Sequence, residues 1–233
     1  MSEQQDRQLK KFLEKISVFN DKDLVESCLE KTENDYRSGD VGEYLYKQLL
    51  NAEHPKFSHK NIELVHVTLQ AWNMNSRAAK LKDLASFEKT INKNRADFLE
   101  LEHDRIEFIG DKRHEQLLST LEKLFYGLQD TCEQNAKLVT VAKTLHFFLP
   151  RLAVPIDRKY TLSFFRGHNL KPDSAEYVPK ELHQQWRLYK NIFLSFFELA
   201  KMHDFENYKD NRWGANTPKS LDNLVIGYQL LNR

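Results

Sequence analysis

The chain is poor in the residues that bend or cross-link a backbone. Its 233 residues include only seven glycines, six prolines and two cysteines. So few turn-forming residues argue against a turn-rich β fold and favour long helices. Cys28 and Cys132 form no CxxC pair and no metal-like spacing. We therefore predict two reduced thiols, either in the core or inert at the surface.

Long apolar stretches and enzyme signature motifs are also missing. No segment approaches the roughly eighteen uncharged apolar residues of a membrane-spanning helix, and the N-terminal MSEQQDRQLKK is too polar for a signal peptide. We expect a soluble cytoplasmic protein. The sequence has no HxxxH or HExxH pair, no Walker loop, no GxGxxG and no GxSxG. We therefore predict no metal site and no cofactor.

Apolar residues recur at helical spacing along most of the chain. This periodicity predicts an all-α fold, with roughly eight to twelve helices packed as one domain over residues 1–233. Ser58 is a candidate helix cap, and Thr217-Pro218 a candidate N-cap and first position of the last helix. In LEHDRIEFIG at 101–110, apolar and polar residues alternate as they do in a β-strand. Because no partner strand is evident, we predict helix or irregular chain there.

Positive charge is concentrated in one part of the chain. Between Lys137 and Lys171 there are seven lysines and arginines against one acid, Asp157, giving a local charge of +6 in a chain whose net charge is +1. Such a segment in a nearly neutral protein predicts an anionic partner, and nucleic acid is the commonest one.

The same part of the chain contains the candidate active-site segment, residues 135–166. Lys143 lies in an otherwise apolar predicted helix, beside Val139 and Phe147 and opposite the stripe expected to face the core. In one interpretation Lys143 extends its ammonium group past Phe147 to water. In the other it lines a cleft, where burial and nearby cations lower its pKa and leave some neutral amine to act as a nucleophile.

Asp157 follows a proline-bounded loop at the start of the next predicted helix. It stands after Pro155 and before RKYTLSFF, which is the position of a helix N-cap. A capping carboxylate can still direct one oxygen into a cleft, so a structural and a chemical role are compatible.

The pieces VAKTLHFFLP and VPIDRKY resemble the helix-hairpin-helix DNA glycosylase superfamily, and above all its bifunctional 8-oxoguanine branch. The resemblance covers about thirty residues and implies a two-lobed helical domain. The same stretch is similar to uncharacterised microbial proteins that share a K-x-LHF-x-x-P…P-I-D-x-x-Y pattern. Two features differ from the glycosylases: NAKLVTV contains no glycine where their hairpin is glycine-rich, and the loop from lysine to aspartate is shorter.

The resemblance implies a reaction and roles for individual residues. Lys143 would attack the sugar C1′ of a flipped damaged or modified nucleotide, and Asp157 would stabilise the positive charge at C1′. β-Elimination would then nick the duplex DNA. Expected base-pocket walls are Phe147, Tyr160, Phe164 and Trp213; expected phosphate contacts are Arg151, Arg158, Lys159 and Arg166; His146 is a further candidate contact.

A polar cluster near the C-terminus is the last candidate. We interpret the stretch from Asn211 through Trp213 to Lys219 and Asp222 as lining the same cleft. Alternatively, it belongs to a C-terminal helix that packs through its apolar residues and leaves the polar ones outside.

Three hypotheses follow for the function. The first is a DNA glycosylase, with or without abasic-site lyase activity. The second is a non-enzymatic nucleic-acid-binding or regulatory helical protein with a structural Asp157. The third is a scaffold whose positive stretch meets an acidic protein. The sequence leaves open the base recognised, the choice of DNA or RNA, and the oligomeric state.

Overall fold

A computed structural model gives the architecture of most of the chain. The described residues are 3–35, 40–74, 80–133, 137–167, 178–205 and 216–232. Within these ranges every named element is a helix or a helical turn and there is no β-strand, which confirms the predicted all-α class. No helix in this part of the chain is long and apolar enough to cross a bilayer.

Eleven α-helices form the described part of the molecule. Their bounds are α1 Glu3–Ile16, α2 Lys22–Asp35, α3 Val41–Leu50, α4 His59–Leu69, α5 Leu84–Lys93, α6 Arg95–Glu100, α7 Asp111–Gly127, α8 Leu138–Phe148, α9 Ser163–Arg166, α10 Leu182–Met202 and α11 Thr217–Leu231. Short 3₁₀ or π-helical turns extend several of them: Ser17–Asn20, Gln70–Met74, Ile106–Phe108, Leu128–Thr131 and Arg158–Leu162. The stretch 101–110 is a turn followed by a 3₁₀-helix, as predicted.

Several of these helices start after a polar N-cap residue, whose side chain accepts a backbone N–H that has no partner within the helix. Ser58 caps α4 through the amide of Asn61, which confirms the predicted cap. The prediction for α11 was wrong by one residue. Asn216, rather than Thr217, accepts the amide of Lys219 at 2.9 Å, and proline then occupies the first turn, where no N–H is needed.

Helix α8 lies at the centre of the fold. Every residue from Leu138 to Phe148 is buried. The helix packs against α4, α7 and α10. A helix that is enclosed on all sides offers no route to water for a long polar side chain. Lys143 therefore lies inside the protein.

Helix α11 is fixed by close packing on α2. A Cβ atom on Gly227 would lie 1.8 Å from the carbonyl oxygen of Cys28, so only glycine allows this approach. The Thr32 hydroxyl on α2 donates to the Asn223 carbonyl at 2.6 Å. Neither Cys28 nor Cys132 forms a disulfide, and both are buried. Burial raises the pKa of Cys28 to about 11, as expected of an inert core thiol.

Candidate functional site

A cavity of about 220 Å³ lies where α8 and α11 meet the Gln70–Met74 turn and the segment before Arg158. Buried polar side chains form its floor, and more exposed residues form its rim. We call it the lysine cavity. Its lining residues are Asp40, Gly42, Ala71, Trp72, Lys143, Pro155, Ile156, Asp157, Tyr160, Lys219, Asp222 and Ile226.

Five of these residues are charged, and all but the exposed Asp40 are buried or half-buried. Lys143, Lys219 and Asp222 are 6%, 3% and 4% exposed, and Asp157 is half-buried. The structure thus brings the two candidate catalytic residues, Lys143 and Asp157, into one cavity. Lys219 and Asp222 line it with them, in keeping with the interpretation of the C-terminal cluster.

The amine of Lys143 has little hydrogen bonding for a buried cation. Its Nζ donates to the Trp72 carbonyl at 3.3 Å and lies 5.3 Å from the centroid of the Trp72 ring. Burial lowers the pKa of Lys143; the charges of Asp157 and Asp222 oppose this shift, and that of Lys219 reinforces it. The geometry favours the cleft interpretation over extension to water, and it increases the share of neutral amine.

Lys219 and Asp222 form a buried ion pair one turn apart on α11. Nζ of Lys219 lies 2.6 Å from Oδ2 of Asp222. The other oxygen, Oδ1, is buried and has no hydrogen-bond donor among the described residues. Burial raises the pKa of Asp222, although the ammonium of Lys219 opposes this. Asp222 therefore has an acceptor that a ligand N–H or O–H could satisfy.

Trp72 is shared by both lysines and was not a predicted site residue. Nζ of Lys219 lies 5.4 Å from its ring centroid, a distance close to that of Lys143, so one indole faces two ammonium groups. Gly42 permits this position, because a Cβ there would lie 2.9 Å from the indole Cδ1 and Nε1. The indole Nε1 also donates a hydrogen bond to the Gly42 carbonyl oxygen at 3.4 Å.

Asp157 is the N-cap of the Arg158–Leu162 turn, as predicted from its position. Its Oδ1 accepts the amides of Lys159 at 2.6 Å and Tyr160 at 3.0 Å. The cap fixes the carboxylate at the edge of the cavity, where its charge acts on Lys143 and Asp222. One residue thus begins a helix and contributes to the electrostatics of the site.

A buried polar chain holds the walls of the cavity together. Asn216, which caps α11, donates through Nδ2 to the Tyr46 hydroxyl at 3.1 Å. That hydroxyl lies 2.8 Å from Nε2 of His146, whose Nδ1 lies 2.7 Å from the Ala153 carbonyl oxygen. Since a carbonyl only accepts, Nδ1 carries the proton and Nε2 accepts from Tyr46. The chain links α3, α8 and α11 to the loop that leads to Asp157.

His146 was predicted to contact substrate, but the structure places it behind the cavity. Its ring is fully buried, and both ring nitrogens are used within the protein. Burial lowers its pKa to about 3, so the ring is neutral at pH 7. His146 positions the elements around the cavity and does not line it.

The remaining predicted aromatic residues divide between rim, core and the undescribed part of the chain. Tyr160 lines the rim. Phe147 is buried behind Trp72, with ring centroids 4.9 Å apart, and Phe164 stacks on Phe19 in the core. Trp213 lies outside the described residues. Neither Phe147 nor Phe164 is among the residues that line the lysine cavity.

The predicted phosphate-binding cations do not form one patch. Lys159 is exposed beside the rim, with its Nζ 4.9 Å from the centroid of Tyr160. Arg158 is half-buried next to it and Arg151 is exposed in the turn after α8, but neither lines the cavity. Arg166 lines a different groove.

A side chain from another helix caps the N-terminus of α8. Gln185, a fully buried residue of α10, accepts the amides of Lys137 and Leu138 through Oε1, each at 2.9 Å. These two amides are therefore used within the protein and are not available to an anion.

Comparison with known proteins gives no match among family models, curated proteins or solved structures. The site must therefore be interpreted from its own chemistry. No group of three or more His, Cys, Asp or Glu side chains in the described ranges is arranged to hold a metal ion. The distinguishing feature is an amine of lowered pKa next to two carboxylates and an indole.

Proposed function

We propose that the protein is a DNA glycosylase with abasic-site lyase activity, in which Lys143 is the nucleophile. One observation carries the proposal: Lys143 is a buried amine of lowered pKa that lines a cavity together with Asp157. A lysine becomes a nucleophile when it is desolvated or placed beside another cation, and Lys219 supplies that cation.

In the proposed reaction the neutral Nζ of Lys143 bonds to C1′ as the bond from C1′ to the base breaks. The base leaves with the electron pair and takes up the proton that Nζ releases on bonding. Asp157 stabilises the positive charge that develops at the sugar. Ring opening breaks the bond from C1′ to the ring oxygen, which takes up a proton, and gives a Schiff base between Nζ and C1′. Loss of a C2′ proton to water then forms a C2′–C3′ double bond and breaks the C3′–O bond, so the 3′ phosphate leaves with the downstream strand. Water hydrolyses the Schiff base and restores the amine.

The size of the cavity supports a single small ring as its occupant. Pockets for drug-sized ligands have volumes of about 300–1,000 Å³, and this cavity has a volume of about 220 Å³. Trp72 and Tyr160 offer aromatic surface at the rim for a flipped base. The unpartnered Oδ1 of Asp222 could accept an N–H of that base. These features favour one extruded nucleotide over a larger ligand.

Borohydride trapping tests this function. The full-length protein is incubated with duplexes that contain 8-oxoguanine, uracil, an abasic site or a bulky modified cytosine, and is then reduced. We expect a covalent adduct on at least one duplex. Lys143→Ala should abolish it and leave DNA affinity largely intact. Lys123→Ala, which removes an exposed lysine outside the lysine cavity, should retain the adduct and is the matched control.

Other results would change the assignment. Loss of the base revealed by alkali without an adduct would indicate a monofunctional glycosylase that depends on Asp157. An adduct that persists in Lys143→Ala would remove Lys143 from the mechanism.

One observation favours the second candidate, a non-enzymatic nucleic-acid-binding protein. The two amide bonds accepted by Asp157 already give that carboxylate a structural purpose. Absence of both adduct and base loss, with salt-sensitive DNA binding retained, would select this alternative.

A further inference from the structure

A second cavity, lined by α1, α9 and α10, contains many cations. It has a volume of about 690 Å³ and is lined by Arg7, Lys11, Lys15, Arg166 and Arg187. No acidic residue is among its described lining residues. We call this cavity the basic groove. It shares no lining residue with the lysine cavity, and Arg166 is its only member from the predicted phosphate contacts.

The cations of α1 form a regular row. Arg7, Lys11 and Lys15 are each four residues apart, so they lie on one face of the helix at steps of about 6 Å along its axis. Arg166 and Arg187 belong to α9 and α10, which form the rest of the groove. A regular row of cations with arginines on neighbouring helices suits an extended polyanion better than a single small anion.

The apolar lining of the groove is unavailable for stacking. Phe12 and Phe165 are 4% and 2% exposed, so neither ring offers a free face to a base. Cations with no exposed aromatic ring among the described lining residues suit contacts with phosphates better than stacking on bases. The ammonium of Lys15 already donates to the Phe164 carbonyl at 2.9 Å, which fixes its position on the groove wall.

We propose that the basic groove binds the sugar–phosphate backbone of a nucleic acid, independently of base sequence. The choice of nucleic acid over an acidic protein rests on the proposed function. The segment from Asp157 to Arg166 joins the two sites, since Asp157 lines the lysine cavity and Arg166 lines the groove. Nine residues of mainly helical chain span on the order of 13 Å, a distance that a few nucleotides cover.

The salt dependence of DNA affinity tests this proposal. The triple variant Arg7→Gln, Lys11→Gln, Arg187→Gln removes three exposed groove cations. The matched control Lys10→Gln, Lys93→Gln, Lys123→Gln removes the same charge from exposed positions outside both cavities. Fluorescence anisotropy with labelled duplex and single-stranded oligonucleotides is measured for both full-length variants between 50 and 200 mM salt.

We expect the groove variant to lose affinity roughly tenfold or more at low salt and to lower the slope of log K against log salt by about 0.7–0.9 for each contact removed. The control should keep most of its slope. Equal slopes in both variants would overturn the proposal, as would competition by polyglutamate as effective as that by DNA. Trapping at saturating DNA should persist in the groove variant, so failure of the groove proposal and failure of the Lys143 chemistry are distinguishable.

Discussion

In the lysine cavity two buried ammonium groups lie among three carboxylates, whereas the basic groove has five cations and no carboxylate among its described lining residues. The floor of the cavity is buried, but Arg7, Lys11 and Arg187 of the groove are exposed. Burial makes each charge costly and alters its pKa. An exposed charge has little desolvation cost, acts over a longer distance and is screened by salt.

This difference would separate the two proposed tasks, chemistry and the binding of nucleic acid. Chemistry requires a group whose protonation departs from its usual state, and burial beside other charges provides one. Affinity for a phosphate backbone requires many cations and little precision. The cavity should therefore respond to pH and to single substitutions, and the groove should respond to ionic strength and to the number of cations removed.

The largest expected effect comes from breaking the buried pair. Asp222→Asn removes the carboxylate that lies 2.6 Å from the buried ammonium of Lys219, so we expect the free energy of unfolding to fall by about 3–5 kcal/mol. Arg187→Gln, which removes one exposed charge from the groove, should change it by less than about 0.5 kcal/mol. Urea denaturation of both variants measures the difference.

A double variant shows whether the loss is due to the pair itself. Lys219→Met with Asp222→Leu removes both charges and should recover most of the stability, because replacing a whole buried pair is often neutral. A double variant as unstable as Asp222→Asn alone would mean that packing, not charge, holds α11 in place.

A smaller effect is expected at the rim. Gly42→Ala places a methyl group 2.9 Å from the Trp72 indole, and overpacking of this kind costs about 1–3 kcal/mol. Because Trp72 contacts both lysines, we also expect tryptophan fluorescence to change and trapping to slow. Gly227→Ala is the control: its Cβ meets the Cys28 backbone instead, so it should destabilise the fold more. An unchanged fluorescence spectrum in Gly42→Ala would show that Trp72 tolerates the methyl group.

Local signals made much of the fold predictable. Helical periodicity, Ser58 and Asp157 as caps, and the scarcity of glycine and proline act within a few residues of the chain, where sequence and structure are tightly linked. Lys143 was identifiable for the same reason, as a single cation in an apolar helix. These features depend on neighbours in sequence, and each is found in the structure.

The surroundings of Lys143 were not predictable, because they are built from distant parts of the chain. Trp72 lies 71 residues before Lys143. In the sequence it fits the pattern of an ordinary apolar position of a helix. Gln185 caps α8 from another helix, which no local pattern reveals. His146 was misassigned because both faces of α8 are buried, and a polar residue on such a helix is expected to be satisfied internally.

The smallest expected effect, and the one that separates the two sites most cleanly, is their response to pH. The pKa of Lys143 is lowered by burial, so its neutral fraction rises tenfold for each pH unit and levels off below the usual lysine value of about 10.4. The rate of trapping at saturating DNA should follow that curve. Between the lowered pKa of Lys143 and the usual lysine value, the unfolded chain binds more protons than the folded protein. The free energy of unfolding should therefore rise with pH in this range, and Lys143→Met should lack that rise.

Neighbouring charges should move the curve in opposite directions. Removing Asp222, whose charge raises the pKa of Lys143, should shift the curve to lower pH; removing Lys219, whose charge lowers it, should shift the curve to higher pH. The salt slope of DNA binding should stay nearly constant from pH 6 to 9, because three of the five groove cations are arginines, a side chain that does not deprotonate in proteins. A trapping rate independent of pH, or a salt slope that follows the trapping curve, would mean that the two sites do not divide chemistry and binding between them.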